Sequence, residues 1–177
     1  MILIINTATN GVELVLDDKY TKIENCTKQS TILPSAVMNF MEQNNVKPTD
    51  LTAIGVIVGP GSFTGIRMGI AYAKGLGIGL QIPVIPVNIF EIYLHGAPDA
   101  CVALDSGRGD FFVGASDLQP CVMDIDTLEK FQMKYPRTVG HIPFDLIDAK
   151  IIVENKIKSN DLQPAIPMYL RPSYAEK

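Results

Sequence analysis

Residues 53 to 80 of the chain read AIGVIVGPGSFTGIRMGIAYAKGLGIGL. The apolar, β-branched run from Ala53 to Val58 predicts a strand that is buried on both faces. Gly59 to Thr64 is the loop that follows, because glycines at a strand-to-helix junction allow backbone geometry that other residues resist. Gly65 to Leu80 then predicts a helix. A strand, a loop and a helix in this order predict an α/β fold.

Apolar runs and turns on both sides of this unit complete a first half of the molecule. The predicted strands are Ile2 to Ile5, Val12 to Leu16, Tyr20 to Cys26, Ala53 to Val58 and Val84 to Val87. The predicted helices are Thr31 to Asn45 with Ser30 as N-cap, Gly65 to Leu80, and Ile89 to His95 behind a capping box of Asn88 and Glu91. The first three strands form an antiparallel meander. We therefore expect a half-molecule with five strands.

The second half begins with a similar hairpin. Ala100 to Leu104 and Phe111 to Ala115 are apolar runs that flank the turn Asp105 to Asp110. This echo of the opening hairpin predicts an internal duplication, with one half at residues 1–97 and a reduced half at residues 98–177. The remaining predicted elements are a helix boxed by Asp126 and Glu129 and running through Met133, strands at Val139 and at Ile151 to Val153, and an irregular tail from Pro164 to Pro172.

The composition excludes several classes of protein. The chain has 177 residues, of which 47% are hydrophobic and 19% charged, with a net charge of −4. These values predict a compact, soluble protein without a general basic surface for nucleic acid, so any contact with RNA must be local or shared. The uncharged stretches are too short or contain proline, and no membrane span is expected. The lack of a secretory signal and the odd cysteines Cys26, Cys101 and Cys121 predict the cytoplasm.

The loop from Gly59 to Thr64 has two interpretations. Backbone N–H groups near Ser62 to Ile66, together with the helix dipole, can hold a phosphate or carboxylate. Alternatively, the loop is a tight turn in which Ser62 or Thr64 caps the helix. The string matches neither a Walker A motif nor the dinucleotide-binding pattern, because no Gly-Lys-Ser/Thr follows and Thr64 stands where the third glycine should be.

Asn6 and Asp105 close corresponding strands of the two halves. They can form the two tips of a nucleotide cleft, in which a carboxylate holds Mg²⁺ through water and glycine turns lie against phosphate. The amide of Asn6 brings no charge to a metal, which weakens hydrolysis more than binding. The alternative is that both residues stabilise their own turns. The candidate anion- or nucleotide-binding residues are Asn6, Gly61, Ser62, Thr64, Gly65, Asp105 and Gly107.

The spacing of the histidines and cysteines does not predict a catalytic site of another kind. The histidines, His95 and His141, are too far apart for an HxxxH or HExxH pair, so a metallopeptidase is not expected and no metal site is predicted. No local signature surrounds the cysteines, which are expected to be structural thiols. No catalytic residue is assigned.

The two long predicted helices carry more apolar surface than is usual for a helix with one side exposed to solvent. Arg67 and Lys74 are the charges of the second helix and share one stripe, so two opposite sides of this helix require burial. Glu42 is the charge of the first helix. A helix-to-helix protein interface explains this excess, and burial under the chain's own second half is the alternative. The candidate interface residues are Leu33, Val37, Met38, Met41, Met68, Tyr72, Gly75 and Gly79.

The string from Gly59 to Leu76 is very similar to the hallmark of the TsaB (YeaZ) family. Four further segments resemble the family in register, namely Ile2 to Thr9, Gln29 to Pro34, Leu104 to Gly109 and Met168 to Pro172. The resemblance implies the actin-like ATPase (ASKHA) architecture of two RNase H-like halves, with mixed sheets, flanking helices and a shortened second half. Asn6 stands where the family usually has aspartate, and the chain is shorter than typical members.

The resemblance also implies a function. TsaB is the non-catalytic, accessory subunit of the bacterial complex that adds a threonylcarbamoyl group to N6 of adenosine 37 in tRNAs that read ANN codons. It binds and enables TsaD through the segments that correspond to residues 30–45 and 64–80, and TsaE is a third member. No cofactor is then required by this chain, ATP and Mg²⁺ belong to the partner subunits, and tRNA is met only through the complex. A homodimer is expected in isolation. The alternative function is an autonomous actin-like ATPase or small-molecule kinase.

Overall fold

The computed structural model describes residues 1–24, 29–140 and 143–171. The strands of the first half are β1 Ile2–Asn6, β2 Val12–Leu16, β3 Lys19–Ile23, β4 Ala53–Gly59 and β5 Val84–Asn88. They form one mixed sheet in the order β3-β2-β1-β4-β5, in which β1 is antiparallel to β2 and parallel to β4. The predicted five-stranded half is confirmed. The predicted end of the third strand, Cys26, lies outside the described residues.

Three helices belong to the first half, namely α1 Gln29–Gln43, α2 Phe63–Leu80 and α3 Ile89–Gly96. The predicted capping box opens α3, because Glu91 N donates to Asn88 Oδ1 at 2.9 Å and Asn88 N donates to Glu91 Oε2 at 2.8 Å. Ser30 lies inside α1, which begins at Gln29, so the prediction of Ser30 as N-cap is wrong.

The second half contains a smaller sheet. Its elements are β6 Cys101–Asp105, β7 Asp110–Ala115, β8 Leu118–Asp124, helix α4 Ile125–Gln132 and β9 Thr138–Val139. The strand order is β8-β7-β6-β9, with β6 antiparallel to β7 and parallel to β9. This repeats the order of the first four strands of the larger sheet, as the duplicated hairpin predicted. The sequence did not indicate β8, and Asp124 rather than Asp126 caps α4.

The last helix is α5, Asp148–Lys158. The prediction of a strand at Ile151 to Val153 is therefore wrong. Ala149, Ile152 and Val153 are buried at the i, i+3, i+4 spacing of a helix, and a short aliphatic run cannot distinguish the two structures. Although α5 follows the second sheet in sequence, it packs on β1, β4 and β5 of the first sheet. A division of the chain after residue 97 stays a prediction.

The larger sheet is covered on both faces, and this sandwich forms the main core. Thr7, which directly follows β1, bonds to Gly65 of α2, whereas a Cβ atom built on Gly55 of β4 would lie 2.7 Å from Val153 of α5. Because successive side chains of a strand point to opposite faces, α2 and α5 lie on opposite sides of the sheet. Within the described ranges, no helix combines the length and apolar character needed to cross a bilayer.

The segment after α5 has no regular structure as far as it is described, to Arg171, which agrees with the predicted irregular tail. Met168 N donates to Val58 O at 2.7 Å, so the tail adds to the end of β4. The side chain of Arg171 forms an ion pair with Asp110 at the start of β7. The tail therefore links the two sheets. Pro172, the predicted last residue of this segment, lies outside the described residues.

Candidate functional site

Helix α2 has one side in the core and another that is partly open. Ile66, Ile70, Ala73 and Gly77 are buried against the sheet, as the helical periodicity indicated. On the other side Met68, Tyr72 and Leu76 are half-buried, whereas Gly75 and Gly79 are exposed. Ile78 is 79% exposed, and Met38 of α1 is 50% exposed. We call Met38, Met68, Tyr72, Gly75, Ile78 and Gly79 the outer face.

The glycines of the outer face have no packing role inside the chain. A Cβ atom built on Gly75 or on Gly79 meets nothing within 4 Å. Neither residue has a positive φ angle among the described glycines, so the backbone does not require glycine. By contrast, a Cβ at Gly77 would lie 2.5 Å from Val84, so that glycine is needed for packing. Glycine inside a helix costs about 1 kcal/mol relative to alanine. Gly75 and Gly79 therefore lower the helix stability without an internal benefit.

Three of the predicted interface residues do not belong to the outer face. Leu33, Val37 and Met41 are at most 1% exposed, because the side of α1 that carries them packs into the main core. A docked protein cannot reach them without unfolding α1. The correction leaves Met38 as the predicted α1 residue that is available to a partner.

The described part of the second half, residues 98–140 and 143–171, does not bury the outer face. Helix α5 packs on the opposite side of the sheet, and the tail meets α2 at its first residue, where the rings of Phe63 and Tyr169 stack with centroids 4.8 Å apart. Ile78 keeps most of its surface in solvent, and Met38 keeps half. As far as the second half is described, it therefore does not explain the apolar excess by covering it.

The loop before α2 is held by contacts within the chain. Gly65 N donates to Ser62 Oγ at 3.2 Å, and Ser62 N donates to Ala8 O at 2.7 Å. Ser62 is thus the N-cap, and Thr64 is an exposed residue of the first turn. A Cβ at Gly65 would lie 2.0 Å from Thr7 O, and one at Gly61 would lie 2.4 Å from Ala8 O. Close packing on the loop after β1 explains both glycines.

Gln29, which no sequence pattern marked as important, holds the loop after β1 by side-chain hydrogen bonds. Gln29, the first residue of α1, donates from Nε2 to the carbonyl oxygens of Thr9 at 2.8 Å and Gly11 at 2.7 Å. Thr7 Oγ1 donates to Gly65 O at 2.7 Å. No local pattern encodes these bonds, because the partners are distant in sequence.

Asn6 and Asp105 each stabilise their own turn. Asn6 is fully buried, donates from Nδ2 to Glu13 Oε2, and accepts a hydrogen bond from Ala8 N at 3.0 Å. Asp105 is exposed and accepts from Gly107 N at 2.7 Å. The bonds of Asn6 are directed into its own hairpin, and Asn6 does not line the cleft to which Asp105 contributes, so the two side chains are not the tips of one site.

A cleft of about 910 Å³ lies between the two halves. Four predicted residues line it, Gly61, Ser62, Asp105 and Gly107. The other charged residues of its lining are Arg67, Arg108 and Arg171. Its aromatic residues are Phe63, Phe112 and Tyr169. No pattern in the sequence groups the three arginines with the aromatic residues, because they come from α2, from the turn between β6 and β7, from β7 and from the tail.

Comparison with known proteins gives the family. A family model described as TsaD, tRNA N6-adenosine threonylcarbamoyltransferase, matches residues 26–134. The chain belongs to the TsaD/TsaB family. The chain is 37% identical over 122 residues to the tRNA threonylcarbamoyladenosine biosynthesis protein TsaB of Escherichia coli, covering 63% of this chain and 52% of that protein. It is 34% identical over 83 residues to TsaB of Bacillus subtilis, covering 45% of this chain and 36% of that protein.

Solved structures of the family share the whole fold. YeaZ from Pseudomonas aeruginosa superimposes with a TM-score of 0.72 at 19% identity, covering 96% of this chain and 99% of that chain. The relatives named TsaB confirm the resemblance seen in residues 59 to 76 as membership of the TsaB (YeaZ) side of the family. The superposition, together with the TsaD family model, agrees with the actin-like architecture. In sequence, however, the chain spans about half the length of the Escherichia coli relative.

The thiols of this TsaB-like chain have the character of structural cysteines. Burial, reinforced by the nearby Cys121, raises the pKa of the Cys101 thiol to about 11. Burial also raises the pKa of the Cys121 thiol. Both thiols are protonated near neutral pH, which is the inert form. In the described part of the chain no three His, Cys, Asp or Glu residues come together as metal ligands. Cys26 and His141 lie outside the described residues.

Proposed function

We propose that this chain is the accessory subunit of a tRNA threonylcarbamoyladenosine-forming complex and has no catalytic role of its own. It binds a TsaD-type transferase through the outer face and enables the transfer of the threonylcarbamoyl group to N6 of adenosine 37 in tRNAs that read ANN codons. ATP and Mg²⁺ act on the partner subunits, and this chain requires no cofactor. The TsaB-named relatives support the pathway.

The observation that carries the proposal is the open outer face of α1 and α2. Met38 and Ile78 expose apolar side chains that a partner would remove from water, at about 25 cal/mol for each Å² buried. Gly75 and Gly79 leave the backbone of α2 uncovered one turn apart, so a second helix can approach it closely. Gly75 and Gly79 lower the stability of the free chain, and their role in binding the partner explains why glycine stands at both positions.

Similarity to TsaD-type enzymes supports a helix partner of the same architecture. The chain is 39% identical over 66 residues to the tRNA N6-adenosine threonylcarbamoyltransferase of Chlamydia felis, covering 37% of this chain and 19% of that protein. Related folds that pack through corresponding helices form a pseudo-symmetric pair. In the absence of the transferase, the same face pairs with a second copy of this chain as a homodimer. A TsaE-type ATPase is the third member of the proposed complex.

The experiment is a calorimetric titration of the purified chain with the TsaD-type protein of the same organism. Gly75→Leu places a large side chain where the partner helix approaches, and binding should be lost. Asn155→Leu, at an exposed position of α5 on the opposite side of the sheet, is the matched control and should bind like the unmodified chain. Equal binding by Gly75→Leu and the unmodified chain would remove the proposed interface.

The proposed role is tested separately by a reconstituted modification assay. Formation of threonylcarbamoyladenosine on tRNA should require this chain in addition to the TsaD-type and TsaE-type proteins. The alternative, an autonomous ATPase or kinase, requires Mg-ATP turnover by the isolated chain that is lost in Asp105→Ala. Such turnover would contradict the non-catalytic role. The intramolecular hydrogen bonds of Asn6 and Asp105 favour the accessory role.

A further inference from the structure

The cleft between the two halves has a chemical character that differs from that of the whole chain. The chain carries a net charge of −4, yet the lining of the cleft contains three arginines and one aspartate. Asp110, next to the cleft, forms an ion pair with Arg171, and Asp105 bonds to the backbone of its own turn. Among the described residues, the three arginines outnumber these two carboxylates. The cleft therefore favours an anionic ligand.

Aromatic rings accompany these arginines. Phe63 and Tyr169 stack at 4.8 Å and are 43% and 46% exposed, so the pair presents ring surface to solvent. The guanidinium of Arg67 lies 5.2 Å from the centre of the Phe63 ring, and that of Arg171 lies 5.5 Å from the centre of the Phe112 ring. Aromatic and guanidinium planes next to positive charge are the combination on which unpaired nucleic-acid bases stack.

The arrangement fits a strand of nucleotides better than one free nucleotide. Phosphate groups of a nucleoside di- or triphosphate are usually held by converging backbone N–H groups. Here the loop before α2 uses the N–H groups of Ser62 and Gly65 for bonds within the chain. The arginines instead come from three separate segments, which suits phosphates spaced along a backbone.

We propose that this cleft binds single-stranded RNA, with a base on the Phe63–Tyr169 pair and backbone phosphates on Arg67 and Arg108. The assignment of the RNA as a tRNA loop rests on the proposed function. The inference that the cleft binds single-stranded RNA rests on the residues of the cleft alone. The site is separate from the outer face, so that loss of RNA binding and loss of partner binding are distinct results.

The test measures fluorescence anisotropy of a fluorescein-labelled anticodon stem-loop RNA with the full chain, alone and together with the TsaD-type partner. We expect saturable binding that weakens roughly tenfold in Tyr169→Ala and in Arg108→Glu. Lys158→Glu, the same charge reversal at an exposed position of α5, should change the affinity by less than about twofold. Calorimetric binding of the partner should persist in all three variants, which also shows that they fold.

Three results would overturn the inference. Absence of saturable binding by the unmodified chain would do so, as would equal weakening by Arg108→Glu and Lys158→Glu, which indicates attraction by net charge alone. Displacement of the RNA by ADP at comparable concentration would assign the cleft to free nucleotides instead. Retained partner binding in any of these cases would leave the accessory role intact, whereas its loss in Gly75→Leu alone would leave the RNA site intact.

Discussion

Individual residues of this chain hold the loop after β1 and the start of α2 together. The backbone of Gly65 approaches Thr7 so closely that Thr7 Oγ1 donates to Gly65 O at 2.7 Å. Gln29 donates to two carbonyl oxygens of the same loop. Both contacts hold the loop after β1, whose residues Thr9 and Asn10 line the cleft, so the shape of the cleft depends on single atoms at these positions.

Gly65→Ala should destabilise the chain. The added Cβ would lie 2.0 Å from a backbone oxygen, which cannot rotate away, so the helix must shift. Overpacking of this kind costs typically about 1–3 kcal/mol. Urea unfolding followed by circular dichroism measures the free energy of unfolding. An unfolding free energy equal to that of the unmodified chain would show that α2 is not held against Thr7 in solution.

Cys101 should resist alkylation in the folded chain. Burial raises the pKa of its thiol to about 11, so the reactive thiolate is scarce at pH 8. Iodoacetamide followed by peptide mapping should leave Cys101 unmodified in buffer and modified in urea. Because the folded pKa is raised, labelling of the folded chain should increase only as the pH approaches that value. Rapid labelling at pH 8 would contradict the buried position.

Helix α2 is the element in which stability and binding oppose each other. Its core side packs on β4, whereas a Cβ atom added to Gly75 or Gly79 on the outer face would meet no described atom within 4 Å. A helix selected for stability alone would have alanine at both positions. The proposed function accounts for this cost, because a partner helix needs access to the backbone of α2.

Gly75→Ala should therefore raise the free energy of unfolding and lower the affinity for the TsaD-type partner. The expected gain is about 1 kcal/mol, from the helix propensities of alanine and glycine. Urea unfolding and calorimetric titration of the same preparation measure the two effects. Higher stability with unchanged affinity would show that the partner does not approach this turn of α2.

The variant Tyr72→Glu tests the outer face by placing a negative charge in the proposed interface. Tyr72 is half-buried, and desolvation raises the pKa of its phenol, so the residue is neutral. A carboxylate in a desolvated interface lacks a partner charge and costs several kcal/mol. Binding of the transferase should be abolished, with the circular dichroism spectrum unchanged. Asn155→Glu places the same charge at an exposed position of α5, on the opposite side of the sheet, and as the control should bind normally.

At the scale of the whole molecule, the tail joins the two halves. It provides the buried Ala165, the bond from Met168 N to Val58 O, and the ion pair between Arg171 and Asp110. Together with α5, it brings the carboxyl-terminal part of the sequence back to the first sheet. The two halves are therefore not independent in stability, even though their strand orders repeat.

Truncation after Gln163 should destabilise the chain. It removes a buried side chain, a backbone hydrogen bond and the stacked ring of Tyr169, which together are worth roughly 2–4 kcal/mol. Truncation after Arg171 retains these contacts and is the control. Denaturant unfolding of both forms measures the difference. Equal midpoints and slopes for the two truncated forms would show that the tail does not hold the halves together.

Local patterns in the sequence were sufficient for much of the fold. The alternation of apolar runs and turns predicted the five strands of the first sheet, and the pair Asn88 and Glu91 predicted the start of α3. The helical periodicity of residues 66 to 80 separated the buried side of α2 from the outer face. These features depend on backbone hydrogen bonds and side-chain spacing within a few residues, which the sequence encodes directly.

Other features depend on contacts between distant segments. The sequence showed that α1 carries an excess of apolar residues, but only packing against the sheet directed Leu33, Val37 and Met41 inward and Met38 outward. The return of α5 to the first sheet and the gathering of three arginines in one cleft likewise follow from chain topology. Periodicity determines how a segment divides into faces, whereas which face meets protein, ligand or water is determined by the segments that pack beside it.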